Sequence, residues 1–310
     1  MQDLALIIST TLMYSTPLIF TALGGVFSEN SGIVNIGLEG MMTIGAFTGA
    51  AAGYLIGDPW IAFLLAGLAG GFFALIHAIA TVSFNADHTI SGVAINLLAP
   101  GVALFISKLI FDGATMTPTI PMESKIPRPL NGLLPKGILD TIFNSYATVY
   151  LAFILVAVVW YVLYKTKFGL RVRAVGEHPG AADTLGINVT RVRYMAVIIS
   201  GILAGLGGAS MSLAVVSSFR PTLISGQGYI AMAAVIFGKW RPQWAMVACL
   251  LFGFSTALSV YFGNPELPFH INENLLSMIP YVVTLIVLVL FVKSSKAPAA
   301  LGNAYKKGER

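Results

Sequence analysis

Few side chains in this sequence are able to do chemistry, and their spacing excludes most kinds of it. The four histidines, His77, His88, His178 and His270, fall in separate segments, and none has the i, i+4 spacing with a carboxylate that a helical metal site needs. No glycine-rich loop ends in Gly-Lys-Ser/Thr, so the chain lacks a Walker-type nucleotide site. No local signature assembles a Ser/His/Asp nucleophile. What remains is a handful of polar groups in apolar runs, where such residues are functional candidates by default. Glu39 opens one run, in Asn35-Ile-Gly37-Leu-Glu39-Gly40-Met41-Met42. Asn96 lies inside another, in Ser91-Gly92-Val-Ala-Ile-Asn96-Leu, just after Asn85, Asp87 and His88. The alternative for Glu39 is a helix-start carboxylate favoured by the macrodipole. For Asn96 it is an interhelical hydrogen bond that helps packing. His77 is read as facing a neighbouring helix.

A second constellation is the longest strongly charged run between two apolar segments, residues 165–193. Lys165, Lys167, Arg171, Arg173, Arg191 and Arg193 fringe its two ends. Between them Pro179 suits a first helical position, where its missing N–H is unsatisfied anyway. Gly186 suits the position just past a helix end, where a left-handed conformation is cheapest for glycine. The spacing predicts a helix of about two turns carrying Ala181, Ala182, Asp183 and Leu185, marginal alone in water and in need of a surface to dock on. Such a knob fits a partner's groove; the bland alternative is an ordinary loop. Thr190 reads as a cap for the following helix.

The elements that position these groups follow from composition. The chain of 310 residues is 56% hydrophobic and 10% charged, with a mean hydropathy of +0.83. Soluble domains carry about 25% charged residues, and several uncharged runs here approach the roughly 20 apolar residues of a membrane helix. The sequence therefore points to an all-α polytopic membrane protein, a single transmembrane domain over residues 1–310, and not a soluble enzyme. Spans are expected near 4–24, 39–57, 60–83, 90–110, 145–164, 194–216, 226–238, 243–262 and 275–292. The seventh is short and starts at Gly226-Gln-Gly228, as a broken helix would. The net charge of +5 sits at span ends, which excludes a nucleic-acid footprint, and the lone Cys249 excludes disulfides. The first apolar segment lacks a basic leader and a cleavage context, and is expected to stay.

Basic residues near span ends stay in the cytoplasm. Loop 165–193 is then inside, with Lys239, Arg241, Lys293, Lys296, Lys306, Lys307 and Arg310. The N-terminus, residues 111–144 and residues 263–274 with Glu266 and Glu273 fall outside. Loop 111–144 carries Lys125, Arg128 and Lys136 against the trend, and its prolines (Pro118, Pro121, Pro127, Pro129, Pro135) suggest an extended, partly ordered cover. Each half of the chain has a long span, a polar break and a glycine-led span: Ser28 to Gly32 then Gly37 to Gly40, against Ser217 to Pro221 then Gly226 to Gly228. Either this is an inverted repeat, with a path at its interface, or these are the glycine-rich breaks of any polytopic chain. The small residues Gly45, Gly49 and Gly53 repeat on one face, for close helix packing.

At these residues the chain resembles a known family. The stretch Gly176-Glu177-His178-Pro179-Gly-Ala181-Ala182-Asp183-Thr-Leu-Gly186-Ile-Asn188-Val resembles the cytoplasmic coupling segment of ABC importer permeases of the branched-chain amino acid and simple-sugar type. The stretch from Gly25 to Met42, with Glu29, Asn35, Gly37, Glu39 and Gly40, is similar to the N-terminal signature of the nucleoside branch that works with basic-membrane-protein lipoproteins. Ser91 to Leu98 and Gly226-Gln-Gly228-Tyr229 resemble the same branch. The resemblance spans nearly the whole chain and implies a type II ABC importer-like fold, as the shorter of two permeases in a bacterial plasma membrane. It implies a heterodimer with a larger permease, an ATPase with two nucleotide-binding domains, and a substrate-binding lipoprotein. ATP and magnesium would belong to the ATPase, with no cofactor on this chain. Carried over, Glu177, Pro179, Ala181, Ala182, Asp183 and Gly186 would lie on the ATPase, and Asn35, Glu39 and Asn96 near the solute path. His178 departs from the polar residue, often asparagine, that the family commonly has there. A neutral solute with hydroxyls and a ring suits so charge-poor a path: a nucleoside, with ribose, another simple sugar or riboflavin as alternatives. A stand-alone secondary transporter would need coupling-ion carboxylates that this chain, Glu39 apart, hardly has.

Overall fold

The computed structural model of the protein describes residues 2–135, 137–263, 273–291 and 296–306, and every regular element among them is helical. Lys136, Glu266, His270, Lys293, Lys307 and Arg310 lie outside the described residues. The helices are α1 (Gln2–Asn30), α2 (Leu38–Ile56), α3 (Pro59–Ala78), α4 (His88–Ile110), α5 (Ile138–Phe143), α6 (Ala147–Lys165), α7 (Lys167–Glu177), α8 (Pro179–Thr184), α9 (Val189–Ser210), α10 (Gln227–Phe237), α11 (Pro242–Phe262) and α12 (Glu273–Phe291). Among the described residues six are long and apolar enough to cross a membrane: α1, α3, α4, α6, α9 and α11, with α3 and α9 continued by π-helical turns to Ser83 and Val216. The protein is a polytopic all-α membrane protein.

Six of the nine expected spans therefore meet that measure among the described residues, and α2, α10 and α12 overlap the other three, near 39–57, 226–238 and 275–292. The 11 residues of α10 reach about 17 Å at 1.5 Å per residue, about half the hydrocarbon layer. Buried polar residues (Ser28, Glu29 and Asn30) carry α1 past the expected end at residue 24. Partners make this tolerable: the Trp240 indole N–H donates to the Glu29 carboxylate, and Asn30 Nδ2 donates to the Trp240 carbonyl at 3.0 Å.

The centre of the bundle is α9, packed on α1, α2 and α3. The glycine stripe of α2 explains the contact. A Cβ on Gly45 would overlap the Gly205 backbone, and one on Gly53 would press on Leu213. In lipid there is little hydrophobic drive between helices, so close backbone approach supplies the attraction. Gly45→Leu is expected to remove folded protein from detergent extracts, since overpacking costs about 1–3 kcal/mol even where neighbours can yield, and here the neighbour is backbone. Gly101→Leu, with nothing within 4 Å of its Cβ direction, should elute normally in the same size-exclusion measurement.

At one end of the bundle, the start of α1 lies beside Arg128 and Tyr146 of the long connection. That connection packs back on the α9–α10 link, with Thr117 N–H to Phe219 O at 3.1 Å and Ile120 N–H to Ser217 O at 2.8 Å. It holds a 3-10 turn at Met122–Ser124 and α5. At the other end lie α7, α8, the Lys239–Arg241 turn and residues 296–306. The stretch expected to be basic fringe is the amphipathic helix α7, because Phe168, Val172 and Val175 recur on its inward face. Its Arg173 stacks on Tyr164 at 4.7 Å. Thr190 is not the cap of α9; Asn188 is, its Oδ1 accepting from Arg191 N–H at 2.9 Å.

Candidate functional site

Between α1 and α2 the chain does not turn at the surface. Residues 31–37 run without helix into the bundle, with Ile33 and Asn35 fully buried. Irregular backbone survives inside a membrane protein only where its polar groups find partners. Val34 N–H donates to His88 Nδ1 at 3.3 Å, and Val34 O lies 3.2 Å from His77 Nε2. Ile36 O accepts from Asn96 Nδ2 at 2.9 Å. The two histidines, to which the sequence assigns no role, thus hold this segment.

The segment delivers Glu39 to the start of α10. Its Oε1 accepts from Gly226 N–H and its Oε2 from Gly228 N–H, each at 2.6 Å. The macrodipole reading of Glu39 holds in kind, with the carboxylate also serving a second helix 187 residues away in sequence. Gly228 has to be glycine: a Cβ there would stand 2.5 Å from the Glu39 Cα.

Asn96 ties the same corner together. Its Nδ2 donates to Ile36 O and to the Tyr229 hydroxyl, both at 2.9 Å, and its Oδ1 accepts from Gly40 N–H at 2.8 Å. Both amide protons are used inside the chain, so Asn96 positions other groups. A third backbone N–H, that of Tyr229, also donates to the Glu39 carboxylate. Left over are the Tyr229 hydroxyl proton and ring, 46% exposed. They open onto a surface otherwise apolar, with Val93 and Leu97 exposed nearby on α4. Asn35 is not part of this group. It is 0% exposed and faces α9, with Nδ2 donating to Ser200 Oγ at 3.0 Å. The sequence signal for Gly228 and Tyr229 was the Gly226-Gln-Gly228 break; their meeting with Glu39 had none.

The second site is the loop 165–193. Pro179 opens α8 and Gly186 follows it at φ +79°, as the end signals require. Ala182 packs inward, 3% exposed, while Gly180, Ala181, Thr184 and Leu185 face outward. Leu185, 81% exposed, is a large apolar side chain with no cover in this chain. Asp183 and Tyr305 line an open cleft of about 650 Å³ with Asn188 and Arg191. Glu177 Oε2 accepts from Ala299 N–H at 3.3 Å, so Glu177 and Asp183 both meet the C-terminal segment. Among the described residues no group of His, Cys, Asp and Glu could hold a metal ion.

Comparison with known proteins adds a family. The family described as branched-chain amino acid transport system / permease component matches residues 7–289. The guanosine ABC transporter permease protein NupQ of Bacillus subtilis is 48% identical over 320 residues, covering 100% of this chain and 99% of the relative. The nucleoside ABC transporter permease protein NupC of Lactococcus lactis is 43% identical, covering 99% of each. A second Bacillus subtilis protein, the guanosine ABC transporter permease protein NupP, is 26% identical over 97% of this chain and 85% of the relative.

Proposed function

The chain belongs to the family of branched-chain amino acid transport permease components, membrane subunits of ABC transport systems, and from that premise we propose that the solute it passes is a nucleoside. One observation carries the reading: the corner of Glu39, Asn96 and Tyr229, a polar group with an open aromatic ring on an apolar surface. A ring for stacking and a free hydroxyl proton suit a neutral solute with a base and hydroxyls.

In this reading the chain pairs with a larger permease. The similarity to two unlike guanosine permeases of one organism, the more distant of them longer than this chain, supports a heterodimer. A cytoplasmic ATPase with two nucleotide-binding domains holds ATP and magnesium, and a lipoprotein delivers the solute. The basic residues of 165–193 and 239–241 keep their end of the bundle in the cytoplasm, with the N-terminus and 111–144 outside. An inverted repeat would make α2 and α10 corresponding elements, and their adjacent starts at Glu39 favour that view. Closure of the ATPase on ATP would drag α8, rock the two permeases and alternate the face to which the path opens.

A stand-alone ion-coupled transporter fits less well, because the Glu39 carboxylate is tied to two backbone N–H groups and that of Glu29 to Trp240. Uptake of labelled guanosine, uridine, ribose and riboflavin by a strain deleted for this chain tests the solute class. Loss of guanosine and uridine uptake is the expected result. Loss confined to ribose or riboflavin would overturn it.

A further inference from the structure

Arg193 is a buried cation at the end of the bundle that carries the coupling loop. It lies in the second turn of α9 and is 2% exposed. Its hydrogen-bond partners are backbone carbonyls: Nε donates to Ser31 O at 3.3 Å and Nη1 to Asn303 O at 3.2 Å, while Nη2 has none. Burying a guanidinium on such terms is costly. Ser31 begins the non-helical segment 31–37 that leads to Glu39 in the first turn of α2, and Asn303 belongs to the C-terminal segment 296–306.

That C-terminal segment is fastened along its length. Ala300 N–H donates to Gly176 O at 2.8 Å and Gly302 N–H to Gly32 O at 3.0 Å. Ala299 N–H donates to Glu177. Tyr305 donates to Asp183; desolvation first, and this carboxylate second, push its phenol above the ordinary value. Gly32 stands at φ +91°, with the Arg193 guanidinium 2.9 Å and the Ala300 carbonyl 3.1 Å from where a Cβ would be. The end of α7 rests directly on α1, since a Cβ on Gly176 would overlap the Asn30 carbonyl. The C-terminal segment therefore bridges the coupling loop, at Gly176, Glu177 and Asp183, to the Ser31–Gly32 turn.

We propose that Arg193 is a positioning residue and that it forms, with residues 298–305, the joint that carries displacement of α8 to the segment 31–37 and so to Glu39. This rests on the coupling role proposed above. Helix α8 is six residues long and buries one of them, Ala182. Without the joint it can follow the ATPase while the Glu39 segment stays behind. A contiguous network becomes a coupling path only when its loss uncouples the two ends.

The test uses the complete complex in lipid, with ATPase, second permease and lipoprotein, and labelled guanosine as probe. Three variants are compared: Arg193→Gln, Arg193→Lys and a chain ending at Ala297. ATPase binding and ATP turnover should stay within about twofold, while guanosine imported per ATP falls at least about tenfold for Arg193→Gln and for the truncation. Arg193→Lys should restore part of it. Combining Arg193→Gln with the truncation should be no worse than either alone. A spin label on Leu97→Cys, beside Asn96, gives a readout independent of solute, since the native Cys249 is buried. Its ATP-induced shift should vanish in both variants. Unchanged import per ATP, a surviving label shift, additive losses, or failure of the truncated chain to assemble would each overturn the proposal. An unaltered complex that shows the label shift but imports no guanosine contradicts the solute reading and leaves the joint supported or refuted by the label alone.

Discussion

Glu39→Ala lowers uptake by about 100-fold or more, while the protein still reaches the membrane and still binds its ATPase. The carboxylate accepts two backbone N–H groups at the start of α10, from Gly226 and Gly228. A hydrogen bond to a charged group contributes about 1.5–3 kcal/mol, so two lost together cost about 3–6 kcal/mol, and about 1.4 kcal/mol is tenfold in an equilibrium. The freed N–H groups lie at the positive end of a helix of 11 residues that has no side-chain cap of its own. Glu39→Gln keeps one acceptor and turns a second N–H donor toward the glycines, so it should lose activity too, by less. Gly228→Ala, whose Cβ meets the Glu39 backbone, should phenocopy Glu39→Ala. Labelled-solute uptake with membrane-fraction immunoblots measures this; near-normal uptake by Glu39→Ala would remove Glu39 from the path.

Leu185→Ala weakens binding of the ATPase by about 10- to 100-fold without unfolding the chain. Burying a leucine side chain contributes about 1.5–3 kcal/mol, and Leu185 is 81% exposed at the end of α8. Ala181→Trp, on the same outward face, should prevent docking altogether, because an indole replaces a methyl in the groove. Ala182→Trp acts differently. Its site faces this chain's own core, so the variant should fail to fold, and it cannot serve as a docking test. Co-purification of the ATPase with folded Ala181→Trp and Leu185→Ala at unaltered levels would contradict the coupling role of α8.

Helices were legible in this sequence wherever apolar runs were long, because lipid leaves the backbone no other local solution. The signals of α8 were also local: a proline at its start and a glycine after its end. The polar corner was legible only as separate parts. Glu39 and Asn96 stand out by type, but Gly226 meets Glu39 across 187 residues, and no periodicity records such a meeting. Charge misled in two places. Arg193 looked like fringe and is buried, and Lys167 to Arg173 looked like fringe and is helix, although Phe168, Val172 and Val175 already carried its period. The inward course of residues 31–37 has no local signal, because histidines and an asparagine distant in sequence satisfy its backbone.

The central claim is that this chain passes nucleosides under the power of an ATPase docked on α8. The direct measurement is accumulation of labelled guanosine in proteoliposomes carrying the chain, its second permease, the ATPase and the lipoprotein. Accumulation that requires ATP and disappears with Ala181→Trp is the predicted result. Accumulation that continues without ATP, or that survives Ala181→Trp, would contradict it.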